Sequence, residues 1–333
     1  MNEANPGKGK VLVAGATGQV GSQAVKILLG KGYPVRALVR RTTDRVHGAG
    51  DGLEYAVGSL EDRASLERAL VGIETVVSSA NAIIPSGRTM TVEDISASGY
   101  EAFISAAERA GVRHWIQSSV PSHAIEGSVP ELAGKRVIEA RLEQSPIAST
   151  IVRNPAFTDV WMVMTGAANA ANSDPHATTS RPYGFMRFWQ RLTGNLVAER
   201  GILLAPGGAN HGAPFVTVED VAHMMAGMVG KQASYNRTIE AGGPEWLSWR
   251  EVAELLSEKA GRKVRIIKMP AWFAAMGQAL TRPFSPSASN VLALVKFVAT
   301  YQPRWESRTI VDEFDLPAQM TVRQYIERHW CDG

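Results

Sequence analysis

Three glycines spaced three residues apart follow an apolar run near the start of the chain, and they constrain the fold more than any other feature. The run Val11-Leu12-Val13-Ala14 leads into these glycines, and residues 24–29 then continue with a helical apolar face. A buried strand that passes through a tight glycine turn into a helix lets backbone N–H groups approach a pyrophosphate. The segment predicts a phosphate-binding loop formed by Gly15, Thr17, Gly18, Gln19, Val20 and Gly21.

The residues after the second predicted strand, 35–39, bear on the choice of cofactor. NAD-selective sites place an acidic residue there for the ribose 2′-hydroxyl, whereas a 2′-phosphate needs cations. This chain has Arg40 and Arg41 instead, and a guanidinium group can pair with phosphate through two hydrogen bonds. We therefore predict NADPH (NADP+) as the cofactor, with Arg40 as the better candidate. The alternative is that both arginines are exposed surface charge.

Strands and helices alternate as far as residue 153, which predicts an α/β fold with a doubly wound parallel Rossmann-type sheet. From residue 154 the alternation lapses, and seven of the eight tryptophans lie in this part. We expect residues 1–153 to form an NAD(P)-binding domain to which residues 212–241 return. We expect residues 154–211 and 242–333 to form a smaller C-terminal substrate-binding cap. The predicted strands are 53–57, 73–79, 112–118, 149–153 and 237–241, and the predicted helices are 61–70, 92–110, 132–144, 218–229, 247–260, 271–280, 288–301 and 320–330.

Composition narrows the possible partners and the compartment. The 35 basic and 32 acidic residues give a net charge of +3, and no Lys/Arg run of the kind that follows a nucleic acid is present, so we expect no nucleic-acid partner. The single cysteine, Cys331, cannot form an internal disulfide. The sequence shows no apolar leader or spanning segment, so we expect a cytoplasmic protein without a membrane partner, either a monomer or a homodimer.

A metal site is not expected. His211 and His223 flank Asp220, but neither paired cysteines nor a His-Glu-x-x-His helix accompanies them. Asp220 is better interpreted as a charge near the start of a helix.

The chain resembles the NmrA-like family of atypical short-chain dehydrogenases/reductases, which also includes isoflavone and phenylcoumaran benzylic ether reductases and quinone reductases. The resemblance covers most of residues 9–260 and becomes thin after them. It is carried by residues 15–21, 35–40, 58–62, 106–119, 135–155 and 215–222.

The resemblance implies cofactor contacts at several positions. Ser59 and Leu60 would lie near the adenine, Ser79, Ala80 and Asn81 beside the nicotinamide-side ribose, and Lys135 would face the nicotinamide. Ser118, Asn154, Pro155 and Phe157 complete the predicted cofactor-binding set. The chain departs from the family at Ser59, where aspartate is usual. It departs from ordinary short-chain dehydrogenases at Glu131, where they place a tyrosine four residues before the lysine.

Catalysis by such a protein needs a group that stabilises or protonates the oxygen of the acceptor. Lys135 is the leading candidate, since a buried lysine can exchange protons near neutral pH. Ser119 and His123 are candidates for assistance, although a strand-end turn and an exposed loop explain them as well. Tyr100, Tyr183 and Glu131 are weaker candidates. The residues Phe157, Trp161, Met162, Met164, Tyr183, Phe185, Met186, Phe188 and Trp189 form either a pocket for a flat substrate or ordinary core.

We therefore expect an NADPH-dependent reductase that transfers hydride to a carbonyl, quinone or conjugated double bond of a small, aromatic or terpenoid substrate. One alternative is a non-catalytic NAD(P)-sensing regulatory protein that binds a protein partner, which the missing tyrosine and Ser59 favour. An epimerase or dehydratase acting on a nucleotide sugar is disfavoured, because such enzymes use a Tyr-x-x-x-Lys pair.

Overall fold

The computed structural model describes residues 8–50, 52–80, 94–171, 173–177, 180, 184–301, 305 and 307–331. They form a seven-stranded sheet in the order β3-β2-β1-β4-β5-β6-β9, in which every neighbouring pair is parallel. This confirms the predicted doubly wound parallel sheet. Its strands are β1 (Val11–Ala14), β2 (Val35–Val39), β3 (Leu53–Val57), β4 (Thr75–Ser78), β5 (His114–Ser119), β6 (Ala148–Arg153) and β9 (Arg237–Glu240).

Helices cover both faces of this sheet, which explains why its central strands are apolar on both sides. One face packs against α1 (Gln19–Gly30) and α8 (Val218–Gly227) in a core that includes Val13, Leu28 and Met225. The other face packs against α2 (Arg63–Leu70), α3 (Tyr100–Ala110) and α4 (Pro130–Glu143), with Trp115 and Phe103 at its centre. A π-helical turn, Ile95–Gly99, leads into α3 where the sequence predicted one helix from residue 92.

The strand order reverses between β1 and β4, because β2 lies on one side of β1 and β4 on the other. In a doubly wound sheet the crevice beyond the carboxyl ends of the strands at such a point is the usual ligand site. The glycine loop follows β1 and Ala80 follows β4, so both lie at this crevice.

A second set of elements packs around a separate core that contains Trp161, Phe215, Trp249 and Tyr325. Two small sheets belong to it: β7 (Ile202–Pro206) pairs with β11 (Arg265–Met269) in parallel, and β8 (Gly212–Ala213) pairs with β10 (Leu247–Ser248) in antiparallel fashion. The remaining helices are α5 (Thr158–Met164), α6 (Gly184–Thr193), α7 (Leu196–Arg200), α9 (Trp249–Ala260), α10 (Ala271–Thr281), α11 (Pro286–Val298), α12 (Ser307–Glu313) and α13 (Val322–His329).

Several elements of the second half were not predicted from the sequence, namely α5, α6, α7, β11 and α12. The helices α5 and α7 are short, so their apolar residues span too few turns to show a helical period. In β11 the side chains of Arg265, Ile267 and Lys268 are exposed, so the alternation that marks a half-buried strand is weak.

Candidate functional site

The glycine loop is shaped by the absence of side chains. Gly15 has a φ of +80°, and a Cβ atom placed on it would lie 2.7 Å from the backbone nitrogen of Ala80. A Cβ atom on Gly21 would lie 2.2 Å from the carbonyl oxygen of Gly15. The Gly18 N–H donates to that same oxygen at 2.7 Å, which closes the turn. The loop therefore tolerates only glycine at Gly15 and Gly21.

The helix that follows the loop presents an uncapped N-terminus. Gly18 is its N-cap residue, no side chain caps the first turn, and no acidic residue lies in that turn. The partial positive charge at such a helix end favours a bound phosphate. Gly15, Thr17, Gly18, Gln19, Val20 and Gly21 thus lie together at the strand end where the prediction places a pyrophosphate.

The loop after β2 carries the two arginines. Arg40 directly follows β2, and its side chain is exposed. The Arg41 guanidinium lies 3.0 Å from the Asp44 carboxylate, and it is 78% exposed. Arg40 directly follows the strand end, which makes it the better placed of the two to bind an added phosphate.

A segment of the second half crosses over this region, and sequence reasoning missed it. The His176 Nδ1 atom lies 3.0 Å from the carbonyl oxygen of Thr17, and His176 Nε2 accepts a hydrogen bond from the His47 backbone N–H at 2.9 Å. Because Nε2 accepts, Nδ1 carries the proton, and the ring is neutral. Asp174 accepts a hydrogen bond from Gln23 of α1 at 2.9 Å. We call residues 174–176 the strap.

The residues predicted to contact the adenine and the ribose are placed at the strand ends. The Ser59 hydroxyl accepts a hydrogen bond from the Glu61 N–H at 3.2 Å, and Leu60 is half-buried against Gly99. Ser79 donates its backbone N–H to Ala14 at 3.0 Å. Asn81 and Tyr183 lie outside the described residues.

A small cavity next to the glycine loop brings charged side chains together in the interior. It is lined by Ala80, Ile95, Ser96, Tyr100, Glu131, Lys135 and Ile138. Lys135 Nζ lies 3.9 Å from Glu131 Oε1, and both side chains are nearly inaccessible to solvent. Burial lowers the pKa of Lys135 and raises the pKa of Glu131, while the attraction between the two opposes both shifts. The Lys135–Glu131 pair can therefore hold a proton close to the crevice between β1 and β4, where the strand order reverses.

Tyr100 contributes a third polar group to this cavity. Its hydroxyl donates to the Ala80 carbonyl oxygen at 2.6 Å and lies 2.9 Å from Ser78 Oγ. Burial raises the pKa of Tyr100 to about 12, so the phenol stays neutral at physiological pH. Tyr100 thereby fixes the backbone at the end of β4, beside Gly15.

Strand β5 and the residue after β6 are linked by an asparagine. The Asn154 side-chain amide donates to Ser118 Oγ at 2.9 Å. Its carbonyl oxygen Oδ1 is buried and has no hydrogen-bond partner within the described residues. A buried acceptor without a partner costs free energy unless a ligand or water donates to it. Two observations fit a bound nucleotide: the buried Asn154 Oδ1 atom without a partner within the described residues, and the space in the glycine loop that a Cβ atom on Gly15 or Gly21 would fill.

The other catalytic candidates already have neighbours. The Ser119 hydroxyl donates to Glu139 at 2.5 Å, and Glu139 also pairs with Arg136 and Arg153. The His123 ring contacts Phe297 edge-on, with the ring centres 5.5 Å apart, and its Nδ1 accepts from the Ile125 N–H. Of these two, His123 lies against aromatic residues, namely Phe297 of α11 and Tyr301 just after that helix.

The aromatic and methionine residues divide between core and surface. Trp161, Met162 and Met164 are buried in the second core, whereas Phe188 is exposed. Phe157 is half-buried and pairs with Val216 in an isolated parallel bridge, and Pro155 is buried. The side chains of Phe185 and Met186 are outside the described residues.

Asp220 is held by neighbours of its own. It accepts a hydrogen bond from the Thr217 hydroxyl at 2.7 Å and another from the Met320 N–H, and burial raises its pKa to about 6. Within the residues that the structure describes, no group of three or more His, Cys, Asp or Glu side chains is arranged to hold a metal ion. Over the same residues, no helix is both long enough and apolar enough to cross a bilayer.

Known proteins resemble this chain in sequence and in fold. The sequence profile of the NmrA-like family matches residues 7–302. NAD(P)H azoreductase from Xenophilus azovorans is 26% identical over 257 residues, which cover 77% of this chain and 76% of that protein. Sterol demethylase protein B from Methylococcus capsulatus is 38% identical over 109 residues, 32% of this chain, and the match spans only 33% of that protein.

A solved structure shares the fold over almost the whole length. The NADPH-dependent quinone oxidoreductase of Escherichia coli, complexed with NADPH, superposes with a TM-score of 0.70 at 17% identity. The superposition covers 96% of this chain and 99% of the other. At this level of identity the likeness concerns the fold.

Proposed function

This chain belongs to the NmrA-like family, and from that premise we propose that it is an NADPH-dependent reductase of a small organic acceptor. The proposed acceptor is a carbonyl, quinone or conjugated double bond on an aromatic or terpenoid molecule. The observation that carries the proposal is the buried Lys135–Glu131 pair in a cavity beside the glycine loop. The family assignment confirms the resemblance found in the sequence.

The relatives support the coarse part of this assignment, an NAD(P)H-dependent oxidoreductase of the atypical short-chain type. The azoreductase acts with NAD(P)H by its name, and the quinone oxidoreductase with the same fold was solved with NADPH. Their acceptors differ, so the substrate class is our own inference from the family resemblance. We also propose that the protein is a monomer or a homodimer in the cytoplasm.

The preference for NADPH rests on the loop after β2. Arg40 follows the strand that leads to the ribose end of such sites, and no acidic residue occupies that position. From this position Arg40 would supply the guanidinium that distinguishes a 2′-phosphate from a hydroxyl, with Arg41, which pairs with Asp44, as its neighbour.

The reaction divides between the cofactor and the protein. NADPH, when bound, supplies the hydride. Lys135 would place its ammonium group against the acceptor oxygen, stabilise the negative charge that develops there, and donate a proton. Glu131 holds the lysine in place and opposes the loss of its charge, as the 3.9 Å contact indicates. Asn154 would accept a hydrogen bond from the bound nucleotide through its Oδ1 atom, which has no partner within the described residues.

Two further residues remain candidates for assistance. His123 lies in the loop between β5 and α4, where it packs against Phe297 and Tyr301. Ser119 would have to release Glu139 before its hydroxyl could serve an acceptor. We therefore rank His123 above Ser119 as a source of the proton that reaches the product.

The first experiment measures the affinity for NADPH and for NADH, followed by NADPH oxidation with a panel of quinones, enones and aryl ketones. We expect tighter binding of NADPH and turnover of at least one acceptor. Arg40→Ala should weaken NADPH binding by about tenfold and leave NADH binding unchanged. Arg41→Ala is the matched control, and its effect on NADPH should stay below about threefold.

Two outcomes would contradict the proposal. Equal affinity for both nucleotides in the wild type and in Arg40→Ala would remove the assignment to NADPH. Tight NADPH binding without turnover of any acceptor would favour the alternative, a nucleotide-sensing protein that binds a protein partner.

A further inference from the structure

Helix α10 and the turn after it expose large apolar side chains. Trp272 is 66% exposed, Leu280 65% and Phe284 88%, and Phe273 and Met276 lie between them with about half of their surface in solvent. The positions 272, 276, 280 and 284 repeat every four residues, which places them along one side of a helix. The turn after α10 continues this path, since the Phe284 N–H donates to the Thr281 carbonyl.

The opposite side of α10 packs against the rest of the protein. α10 and α11 form a closely packed hairpin. Gly277 faces Leu292 of α11, and the Gln278 carbonyl accepts a hydrogen bond from the Ser289 hydroxyl. The apolar face defined by Trp272, Phe273, Met276, Leu280 and Phe284 therefore points away from the protein.

The stretch of sequence that contains α10 carries positive charge only. Between Glu258 and Glu306 the sequence has eight Lys and Arg residues and no Asp or Glu, while the remainder of the chain has 27 basic and 32 acidic residues. Six of the eight cations are exposed, and none of these six forms an ion pair within the part of the chain that the structure describes. They are Lys259, Arg262, Lys263, Arg265, Lys268 and Arg282.

An exposed apolar helix face in a stretch of chain that carries only cations matches one kind of surface best. Two copies of this chain joined through the face would bring like charges together, which opposes association. An anionic bilayer supplies both an apolar layer and negative headgroups. The 11 residues of α10 reach only about half the thickness of a bilayer core, so the helix can lie on the membrane but cannot span it.

We propose that the apolar face of α10 is a docking surface for an anionic phospholipid bilayer. Its side chains insert at the level of the headgroups, and Arg282, at the end of α10, contacts lipid phosphates together with other cations of the same stretch. The sequence-based expectation of no membrane partner rests on the absence of a spanning segment. Docking on the surface of a bilayer does not need such a segment. The proposal does not depend on the reductase activity.

The docking surface is connected to the loop that leads into α4. Gln278 Nε2 donates to the Ser128 carbonyl oxygen at 3.1 Å, and Lys296 Nζ donates to the Ser128 hydroxyl at 2.9 Å. Pro130 then begins the helix that carries Lys135. A docked protein would therefore hold this side of its crevice close to the bilayer, where apolar acceptors dissolve.

The test is co-sedimentation of the full-length protein with extruded vesicles. One set contains phosphatidylcholine alone, and the other also contains about 30 mol% phosphatidylglycerol. We expect binding to the anionic vesicles and at least about tenfold weaker binding to the neutral ones or in about 0.5 M NaCl. The double variant Trp272→Ser/Phe284→Ser should lose at least about tenfold in partitioning, and Arg282→Glu about tenfold.

The control is Val71→Ser, which removes an apolar side chain that is 68% exposed in the turn after α2. It should bind the anionic vesicles like the wild type. Near-ultraviolet circular dichroism and the unfolding midpoint confirm that each variant is folded, which is expected because the substituted side chains make few contacts. No sedimentation with either vesicle, equal sedimentation with both, or equal binding by the double variant would each overturn the proposal. A wild-type dimer that becomes a monomer in the double variant would also overturn it, since the face would then be a self-association surface.

Discussion

The glycine loop and the cavity around Lys135 adjoin the same strand ends but depend on opposite features. At the glycine loop the working surface is backbone, and the decisive property is the space left by missing Cβ atoms at Gly15 and Gly21. At the cavity the decisive property is a pair of charged side chains, Glu131 and Lys135, removed from water. We infer that cofactor binding is sensitive to added volume, whereas turnover is sensitive to lost charge.

A methyl group added to the glycine loop at Gly21 should disrupt cofactor binding. We expect Gly21→Ala to weaken NADPH binding at least about hundredfold, because its Cβ atom would lie 2.2 Å from the Gly15 carbonyl oxygen. Gly30→Ala is the matched control at the other end of α1, where a Cβ atom would meet nothing within 4 Å. Isothermal titration of both variants checks the difference, and similar affinities for the two would contradict it.

The sequence predicts these two regions unequally. The glycine spacing and the apolar strand before it are local signals, so the loop, the helix α1 and the position of Arg40 follow from the sequence directly. The strap could not be found in this way, because His176 and Thr17 are 159 residues apart and no periodic pattern surrounds them. The sequence also does not show that the Ser119 hydroxyl donates to Glu139, because this contact depends on how β5 packs against α4.

A buried carboxylate outside both regions should change stability without changing the chemistry. Burial raises the pKa of Asp220 in the folded protein to about 6, above its value in the unfolded chain. The stability that it contributes is therefore complete below about pH 4 and is lost as pH rises through 6. We expect Asp220→Asn to remove a pH-dependent contribution of at most about 3 kcal/mol over this range, which is the value that the full shift of the pKa corresponds to.

Chemical unfolding of the wild type and Asp220→Asn at several pH values measures this contribution as a difference. NADPH affinity at neutral pH should be unchanged, since Asp220 contacts Thr217 and Met320. Parallel stability curves for the two proteins between about pH 4 and 7 would show that Asp220 does not titrate there.

Removing the negative partner of Lys135 should change the pH dependence of turnover. The Glu131 carboxylate raises the pKa of Lys135 against the lowering effect of burial. In Glu131→Gln the pKa of Lys135 should fall further, so the ammonium form disappears at lower pH. We expect the alkaline limb of the pH–rate profile to move to lower pH, with little change in NADPH affinity. An unmoved alkaline limb would separate Lys135 from the titration that controls the rate.

The strap should contribute a smaller effect, confined to the cofactor side. His176 joins the glycine loop at Thr17 to the loop that carries His47, so His176→Ala should raise the dissociation constant of NADPH by roughly fivefold. The turnover number at saturating NADPH should not change. His223→Ala is the control, because this half-buried histidine lies near Lys31 at the far end of α1. A fall in turnover with unchanged affinity in His176→Ala would place the strap on the reaction side instead.

The most direct test of the division between the two regions is the Lys135→Ala variant, measured for NADPH affinity and for turnover in the same preparation, with Lys231→Ala as an exposed control. We predict that turnover falls at least about hundredfold in Lys135→Ala while the dissociation constant of NADPH stays within about twofold of the wild type. Loss of NADPH binding and turnover in the same proportion would contradict the assignment of Lys135 to the reaction rather than to the cofactor.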